Sequence, residues 1–205
     1  MWYCSRFSAL GSVTIYFNHQ RGIKSMWSDL SEAIVREFGE RASVLRTLHT
    51  RQAQSMLWWD RLLFLPSLMC SMTSAAIQTT ADPESEGWKY AAASLAVIAG
   101  MLTATSKHLH LSERAEMHKK VAGHYATTYR LATTELAMDR GSRTSADALL
   151  TDMRQKLDTA GADAPIIERR IVNGFMTTFK NPDDIALPEV CNGLKRIKIR
   201  SNESE

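Results

Sequence analysis

The chain has 205 residues, of which 44% are apolar and 23% are charged. This composition is ordinary for a globular protein and excludes a wholly disordered chain. A net charge of +3 is too small to indicate nucleic-acid binding by itself. The three cysteines, Cys4, Cys70 and Cys191, are far apart in the sequence, which argues against a disulfide framework and against a cysteine zinc site.

Residues 1–25 form an N-terminal segment of uncertain structure. Its uncharged stretch from Phe7 to Gln20 is about 21 Å long as a helix, which is too short to cross a bilayer. A signal peptide is not indicated, because Arg6 is the only positive charge ahead of this stretch and no small-x-small cleavage site follows. Val13 to Phe17 is typical of a strand or of an amphipathic stretch.

Residues 26–55 are predicted to form an amphipathic helix, because apolar residues recur at helical spacing along one face. We expect this face to pack against the helical domain that follows residue 106. The residues of the face are Leu30, Ile34, Phe38, Leu45 and Leu48.

Residues 56–106 are predicted to form a transmembrane helical hairpin. Two runs without a charged side chain, 62–81 and 90–106, are joined by the loop 82–89. As helices the runs are about 30 and 26 Å long, close to the hydrocarbon thickness of a bilayer. The alternative is a soluble antiparallel hairpin with a polar-flecked core, since the first run contains several serines and threonines.

The flanks of the two runs favour the membrane. Basic residues dominate the sequence on both outer sides, whereas the loop carries three acidic residues and one lysine. By the positive-inside rule both termini are expected on the cytosolic or equivalent side. The aromatic and basic residues expected at the headgroup level are Trp58, Trp59, Arg61, Trp88, Tyr90 and Lys107.

Small residues recur at every fourth position in both runs. Such stripes let helix backbones approach closely and let hydroxyl groups hydrogen-bond across the contact. We expect them to pack the two spans together before they pack subunits. The eight residues are Ser67, Ser71, Ala75, Thr79, Ala92, Ala96, Gly100 and Ala104.

Residues 107–180 are predicted to form a helical domain. Its first helix is expected to continue the second run to about Asp139 and carries a heptad seam. We expect this seam to pack on the helix 26–55, which completes an antiparallel bundle; a coiled coil between copies is the alternative. The seam residues include Leu111, His118, Tyr125, Tyr129 and Leu136.

Two shorter helices and a tail follow. Thr144 with Asp147 resembles a capping box for a helix that ends at Gly161, and a further helix starts near Pro165. Residues 181–205 are predicted to be a basic, mostly irregular tail with a turn at Asn192-Gly193 and a strand-like LKRIKIR stretch, which is solvated unless it contacts a partner or anionic lipid. The residues available for such contacts are Lys195, Arg196, Lys198 and Arg200.

No convincing catalytic, cofactor or metal motif is present in the sequence. His108, His110 and His118 share a predicted helix, but their spacing does not place a set of ligands on one face, and HExxH is absent. Glycine-rich phosphate loops and a G-x-S-x-G elbow are absent too. The chain is therefore interpreted as non-enzymatic and without a cofactor. Because the predicted elements are helices up to residue 180, the fold class is expected to be all-α.

Four stretches resemble a known family. They are VLRTLHTRQ, LFLPSLMCSMTSA, KHLHLSERAEMHKKVAGHYATTYRLATTELAMDRGSR and LPEVCNGLKRIKI. Over about residues 42–199 the chain is similar to the SLATT family of two-span membrane proteins, and the last stretch resembles the form found in large nucleocytoplasmic DNA viruses. Because the family's motifs are helix patterns, the resemblance implies no catalytic residue.

The resemblance implies two functions. The first, which the viral-type ending favours, is a membrane-anchored structural component of the minor capsid type that links the inner membrane of a virus particle to capsid proteins. The alternative is a pore-forming effector that oligomerises and permeabilises a membrane. The partners would be the lipid bilayer together with capsid proteins or other copies of the chain.

Overall fold

The computed structural model describes residues 27–80, 86–179 and 185–193. Over these residues the chain is helical and has no strand, which confirms the all-α prediction. The predictions for residues 1–25, for the first half of the connecting loop and for the basic residues Lys195 to Arg200 lie outside the described residues. The described helices are α1 Asp29–Thr80, α2 Glu86–Leu109, α3 Leu111–Ala137, α4 Ala146–Ala162, α5 Arg169–Thr178 and α6 Glu189–Asn192.

The helix α1 is continuous over 52 residues and joins the predicted amphipathic helix to the first uncharged run. Two serines begin it. The Ser28 hydroxyl accepts a hydrogen bond from Ser31 N–H at 3.1 Å, and the Ser31 hydroxyl accepts one from Ser28 N–H at 2.9 Å. Pro66 lies inside α1 without ending it, although its missing N–H leaves one carbonyl of the preceding turn without a helical donor.

The second run and the heptad segment form two helices. The prediction of one stalk that continues to Asp139 is therefore wrong. His110 separates α2 from α3, because its backbone is left-handed with φ 48° and ψ 36°. For a residue with a Cβ atom this conformation costs about 1–2 kcal/mol. A heptad pattern indicates which face of a segment is apolar. It does not predict that a single residue such as His110 has a left-handed backbone.

The helix α3 packs antiparallel on the N-terminal half of α1. Buried clusters pair Val35 with Ala132 near one end and Ala53 with Ala115 near the other. The two backbones come close at Gly39, where an added Cβ atom would lie 2.9 Å from the Cβ of Ala132. The predicted pairing of the amphipathic helix with the seam thus has a specific point of close contact.

The helices α4, α5 and α6 cover the sides of the α1–α3 pair. Met153 of α4 is fully buried in the cluster that contains Val35. Phe175 of α5 lies in another cluster with Leu48 of α1 and with Leu187, which precedes α6. The core outside the hairpin is therefore built around α1.

The start of α4 differs from its prediction. Its N-cap is Ser145, and no side chain caps this helix end. The Thr144 hydroxyl, predicted to cap the helix with Asp147, instead donates a hydrogen bond to the Glu135 carboxylate at 2.9 Å. The end agrees to within one residue, at Ala162.

The last two helices also depart from prediction. The helix α5 starts at Arg169, four residues after Pro165, and Ile166 and Ile167 in the segment between them line the cavity described below. The short helix α6 lies in the tail predicted to be mostly irregular. Gly193 ends α6 and donates its N–H to the Glu189 carbonyl at 2.7 Å. Its backbone has a positive φ of 68°, a conformation that only glycine adopts at little cost.

Candidate membrane-interacting hairpin

Large apolar side chains are exposed along the C-terminal part of α1 and along α2. In the most apolar stretch of α1 only 11% of the residues are buried, whereas a core helix is mostly buried. Soluble monomers rarely expose a contiguous apolar surface of this kind. The exposed large apolar side chains between residues 58 and 101 are Trp58, Trp59, Leu62, Phe64, Leu65, Leu68, Met69, Met72, Trp88, Tyr90, Val97, Ile98 and Met101.

Length and composition single out α1. Among the described helices it is the one long and apolar enough to cross a membrane. The helix α2 does not reach this composition by itself. The relation of α2 to the apolar surface therefore depends on how α2 packs against α1.

The two helices pair through polar side chains that recur every seven residues. Ser74 donates a hydrogen bond to the Ala92 carbonyl at 2.8 Å, and Ser67 donates one to the Ala99 carbonyl at 3.0 Å. One further heptad along, the Ser106 hydroxyl donates to the Asp60 carboxylate at 2.9 Å. We call these three contacts the hydroxyl ladder. It fixes the antiparallel register of α1 and α2.

The hydroxyl ladder and the predicted stripes of small residues have only part of their residues in common. Ser67 and Ala92 are buried in the contact, as are Ser74 and Ala99, which the stripes did not include. A four-residue repeat drifts by about 40° per step around a helix, whereas a seven-residue repeat drifts by only about 20°, so the contact follows sevens. The stripe residues outside the contact are exposed: Ser71, Ala75, Thr79, Ala96, Gly100 and Ala104.

Most hydroxyl groups of the hairpin have acceptors; those of Ser71 and Thr73 have none among the described residues. Thr103 donates to the Ala99 carbonyl at 2.9 Å, and its oxygen is 2.6 Å from that of Ser67. On the outer faces, hydroxyls of Thr79, Thr80, Ser94 and Thr105 bond to carbonyls of their own helix. A hydroxyl satisfied in this way costs much less in an apolar medium than a free one.

The six predicted headgroup-level residues are exposed and form two groups along the hairpin. Trp58, Trp59, Arg61 and Lys107 lie at the end that adjoins α3, and the two tryptophan rings meet edge to face at 5.0 Å. Trp88 and Tyr90 lie at the opposite end, beside the connecting loop. The antiparallel register thus places one belt at each end of the exposed apolar surface.

The heptad seam of α3 faces α1. His118 and Tyr125 are buried, and Leu111, Tyr129 and Leu136 are half-buried. Since α1 occupies this face, the seam is used within the chain in this structure. A coiled coil between copies would have to displace α1.

A buried polar cluster lies in the α1–α3 contact, below the hairpin. The Nδ1 atoms of His49 and His118 are 2.8 Å apart, so at least one ring is neutral and accepts the hydrogen bond. Burial, and then the charge of His118, lowers the pKa of His49 to about 4. Burial and Arg114 lower the pKa of His118, partly opposed by Glu168.

Gln52, one turn beyond His49, is fully buried and holds the start of α5. Its amide nitrogen donates to the Glu168 carboxylate at 2.9 Å, and its amide oxygen accepts the Glu168 N–H at 3.3 Å. Sequence reasoning missed His49 and Gln52. The available signal was their spacing of one helical turn beside Leu48, on the face already identified as apolar.

No protein-family model, curated protein or solved structure matches the chain. Among the described residues, no group of three or more histidine, cysteine, aspartate or glutamate side chains is placed to hold a metal ion. On the surface, the Nδ1 atom of His110 lies 3.1 Å from the Glu113 carboxylate, which is three residues later in the chain. The hairpin is thus the feature of the described chain that most directly bears on function.

Proposed function

We propose that the chain is a two-pass membrane protein in which α1 crosses the bilayer over about residues 62–80 and α2 returns over residues 90–106. The inverted polarity of the helix contact carries this proposal: the hydroxyls of Ser67 and Ser74 are buried between the helices, and the large apolar side chains point outward. In water this arrangement is unfavourable. In lipid it satisfies most of the polar groups internally and buries the apolar surface.

The depth of α2 follows from its pairing. The hydroxyl ladder joins α1 and α2 from Asp60 and Ser106 at one end to Ser74 and Ala92 at the other. Because the two helices are in contact over this whole length, α2 has to lie at the same depth as α1. Its outward side chains Val97 and Ile98 are then in contact with lipid.

The proposed topology places both termini on the cytosolic or equivalent side. Arg61 and Lys107 lie at the end of the hairpin that adjoins α3 and the N-terminal half of α1. The acidic loop connects the two helices at the other end. About 30 residues of α1 precede this level, so its N-terminal half extends about 45 Å from the membrane. The helices α3 to α6 pack around this extension.

Within this class we propose a structural role of the minor capsid type in a large DNA virus particle, on the basis of the sequence resemblance. The hairpin would anchor the chain in the membrane inside the particle. The helical domain around α1 would present its surface to capsid proteins. A rigid extension anchored in lipid suits this linking role.

The particle itself tests this role. Quantitative mass spectrometry of purified particles should find the chain in stoichiometric ratio to capsid proteins. The chain should stay with the particle after a high-salt wash and should be released by detergent together with the membrane lipids. Absence from purified particles would overturn the structural role without affecting the membrane topology.

A pore-forming effector is the second candidate, favoured by small residues that α1 and α2 leave uncovered. Ser71, Ala96, Gly100 and Ala104 line an open groove of about 580 Å³ along one side of the hairpin. Small residues at such a surface allow helices of further copies to approach closely. Purified protein added to dye-loaded liposomes should then release the dye, and replacement of Gly100 by leucine should abolish the release. Liposomes that stay tight would rule out this function.

A further inference from the structure

A cavity of about 600 Å³ lies in the helical domain, outside the hairpin. It is open to solvent on one side and is enclosed by α1, α3, α4 and the extended segment 164–167. A volume of this size is sufficient for one small ligand. Most of the wall is apolar, with the side chains of Phe38, Leu45, Leu157, Ile166 and Ile167.

Two hydrogen-bond donors on the wall have no acceptor. Among the buried side-chain nitrogen and oxygen atoms of the described residues, Arg41 Nε is the one without a hydrogen-bond partner. Tyr125 is 4% exposed, and its hydroxyl makes no hydrogen bond to a described residue. Because buried polar groups are paired in more than about 90% of cases, the unpaired Arg41 Nε indicates a missing acceptor, and the Tyr125 hydroxyl, which also lines the cavity, is a second available donor.

Exposed apolar and charged residues also line the cavity. Ile166 is 92% exposed, and Val190 is half-exposed. The charged residues Arg154, Asp158 and Glu189 are all three exposed to water. The half-exposed Arg41 guanidinium also donates from Nη2 to the Glu37 carboxylate at 2.5 Å, and its Nε–H remains free for a ligand in the cavity.

We propose that this cavity binds a single-chain amphipathic anion. Its acidic head group accepts hydrogen bonds from Arg41 Nε–H and Tyr125 O–H, and its alkyl chain lies along Phe38, Leu45 and Leu157. A guanidinium donor and a hydroxyl donor are suited to a carboxylate or a phosphate oxygen, and apolar walls select the chain. A free fatty acid and a monoacyl phospholipid share this chemistry. The site lies outside the hairpin and does not require that the hairpin crosses a bilayer.

Photoaffinity labelling of the full-length protein in lipid nanodiscs tests the proposal. The probe is palmitic acid with a diazirine in the middle of its chain, and the control probe is the corresponding alcohol, which lacks the anionic head. We expect the acid to label peptides that contain Leu45 and Leu157, about tenfold more than the alcohol does. Competition by unlabelled palmitate or by monoacyl phosphatidic acid identifies the source of the head group.

Two variants and a matched control locate the head group. Arg41→Gln and Tyr125→Phe each remove one donor and should lower labelling by the acid about tenfold. Arg46→Gln removes an exposed arginine of the same helix that does not line the cavity, and should leave labelling unchanged. Circular dichroism melts show whether each variant is folded; Arg41 is half-exposed, so its variant keeps the core intact.

Three results would overturn the proposal. They are labelling confined to the hairpin, equal labelling by the acid and the alcohol, and wild-type labelling of the folded Arg41→Gln variant. None of these bears on the membrane topology. Failure of the two-pass proposal, in turn, would leave the labelling pattern of the cavity unchanged.

Discussion

His49 and His118 place two imidazole rings in direct contact inside the α1–α3 interface, and Tyr125 stacks on His49 with ring centroids 5.7 Å apart. Arg114 and Glu168 are the charged groups that act on the pair. A buried charge is costly, so the pair is stable in its neutral form. The contact therefore couples the packing of the two helices to pH.

We expect the free energy of unfolding of the helical domain to decrease as the pH falls from about 6.5 to about 4. The pKa of His49 is about 4 in the folded state and 6.5 when unfolded, so in this window the unfolded state binds the additional proton. The full effect is about 3 kcal/mol, present as stability above pH 6.5 and lost through this window. Denaturant titrations in detergent at pH 7.5, 5.5 and 4.5 measure it.

Two histidine variants control this experiment. Replacing both rings, as in His49→Leu with His118→Leu, removes the pair without leaving an unpaired polar group and should flatten the pH dependence. His124→Gln changes an exposed histidine of the same helix and should retain it. An unchanged pH dependence in the double leucine variant would assign the effect to other groups.

The hydroxyl ladder predicts a cost for losing its serines. Ser67→Ala and Ser74→Ala should each destabilise the α1–α2 pair by about 1 kcal/mol, because each removes a hydrogen bond between helices in an apolar medium. Unfolding in sodium dodecyl sulfate measures the effect. Thr105→Ala is the control, since that hydroxyl bonds within its own helix on the exposed face and its loss should change little.

At the scale of the helices, the close approach of α1 and α3 at Gly39 predicts a strict size limit. Gly39→Val should destabilise the domain by about 1–3 kcal/mol, because the added atoms overlap Ala132. Gly123→Ala should instead stabilise it by up to about 1 kcal/mol, since nothing lies near its added Cβ atom and alanine favours a helix. Thermal melts compare the two; equal effects would mean that α1 and α3 are not in close contact.

The break between α2 and α3 makes a separate prediction. His110→Gly should stabilise the protein by about 1 kcal/mol, because glycine adopts φ 48° without the steric cost that a Cβ atom imposes. The lost contact with Glu113 is exposed and contributes little. Thermal melts measure the change. A decrease in stability would mean that α2 and α3 join with a different geometry.

The helices themselves follow from the sequence, and the details of their ends do not. Periodic apolar residues located α1, α3, α4 and α5, because an apolar face has to be buried. No glycine or proline marks the break at His110, so no local pattern in the sequence predicts it. The Thr144 hydroxyl could cap a helix, but in the structure it donates its hydrogen bond to the Glu135 carboxylate of α3.

For the molecule as a whole, the proposed bilayer position predicts which exposed residues are shielded from water. In a variant without native cysteines, Met69→Cys and Met101→Cys should resist a membrane-impermeant maleimide in nanodiscs and react once detergent replaces the lipid. Met117→Cys on α3 should react in both. The three methionines have comparable exposure, 70%, 65% and 53%, so lipid is the difference. Rapid labelling of Met69→Cys in nanodiscs would place the hairpin in water.

The candidate site was predictable to different depths. The uncharged runs predicted the positions of the C-terminal part of α1 and of α2, because a long stretch without charges is a local compositional signal. The seven-residue spacing of Asp60, Ser67 and Ser74 was also present in the sequence. The His49–His118 contact and the unpaired Arg41 donor were not predictable, since they depend on how distant segments meet.

The two legs of the hairpin differ mechanically. One is an unbroken strut of 52 residues, about 78 Å long, that continues from the hairpin into the helical domain; the other has a joint at His110. If a change in bilayer thickness tilted the strut by about 10°, its far end, about 45 Å beyond the hairpin, would swing by about 8 Å. In the proposed topology the break at His110 would accommodate the change in angle between α2 and α3. The position of the helical domain would then depend on the thickness of the membrane.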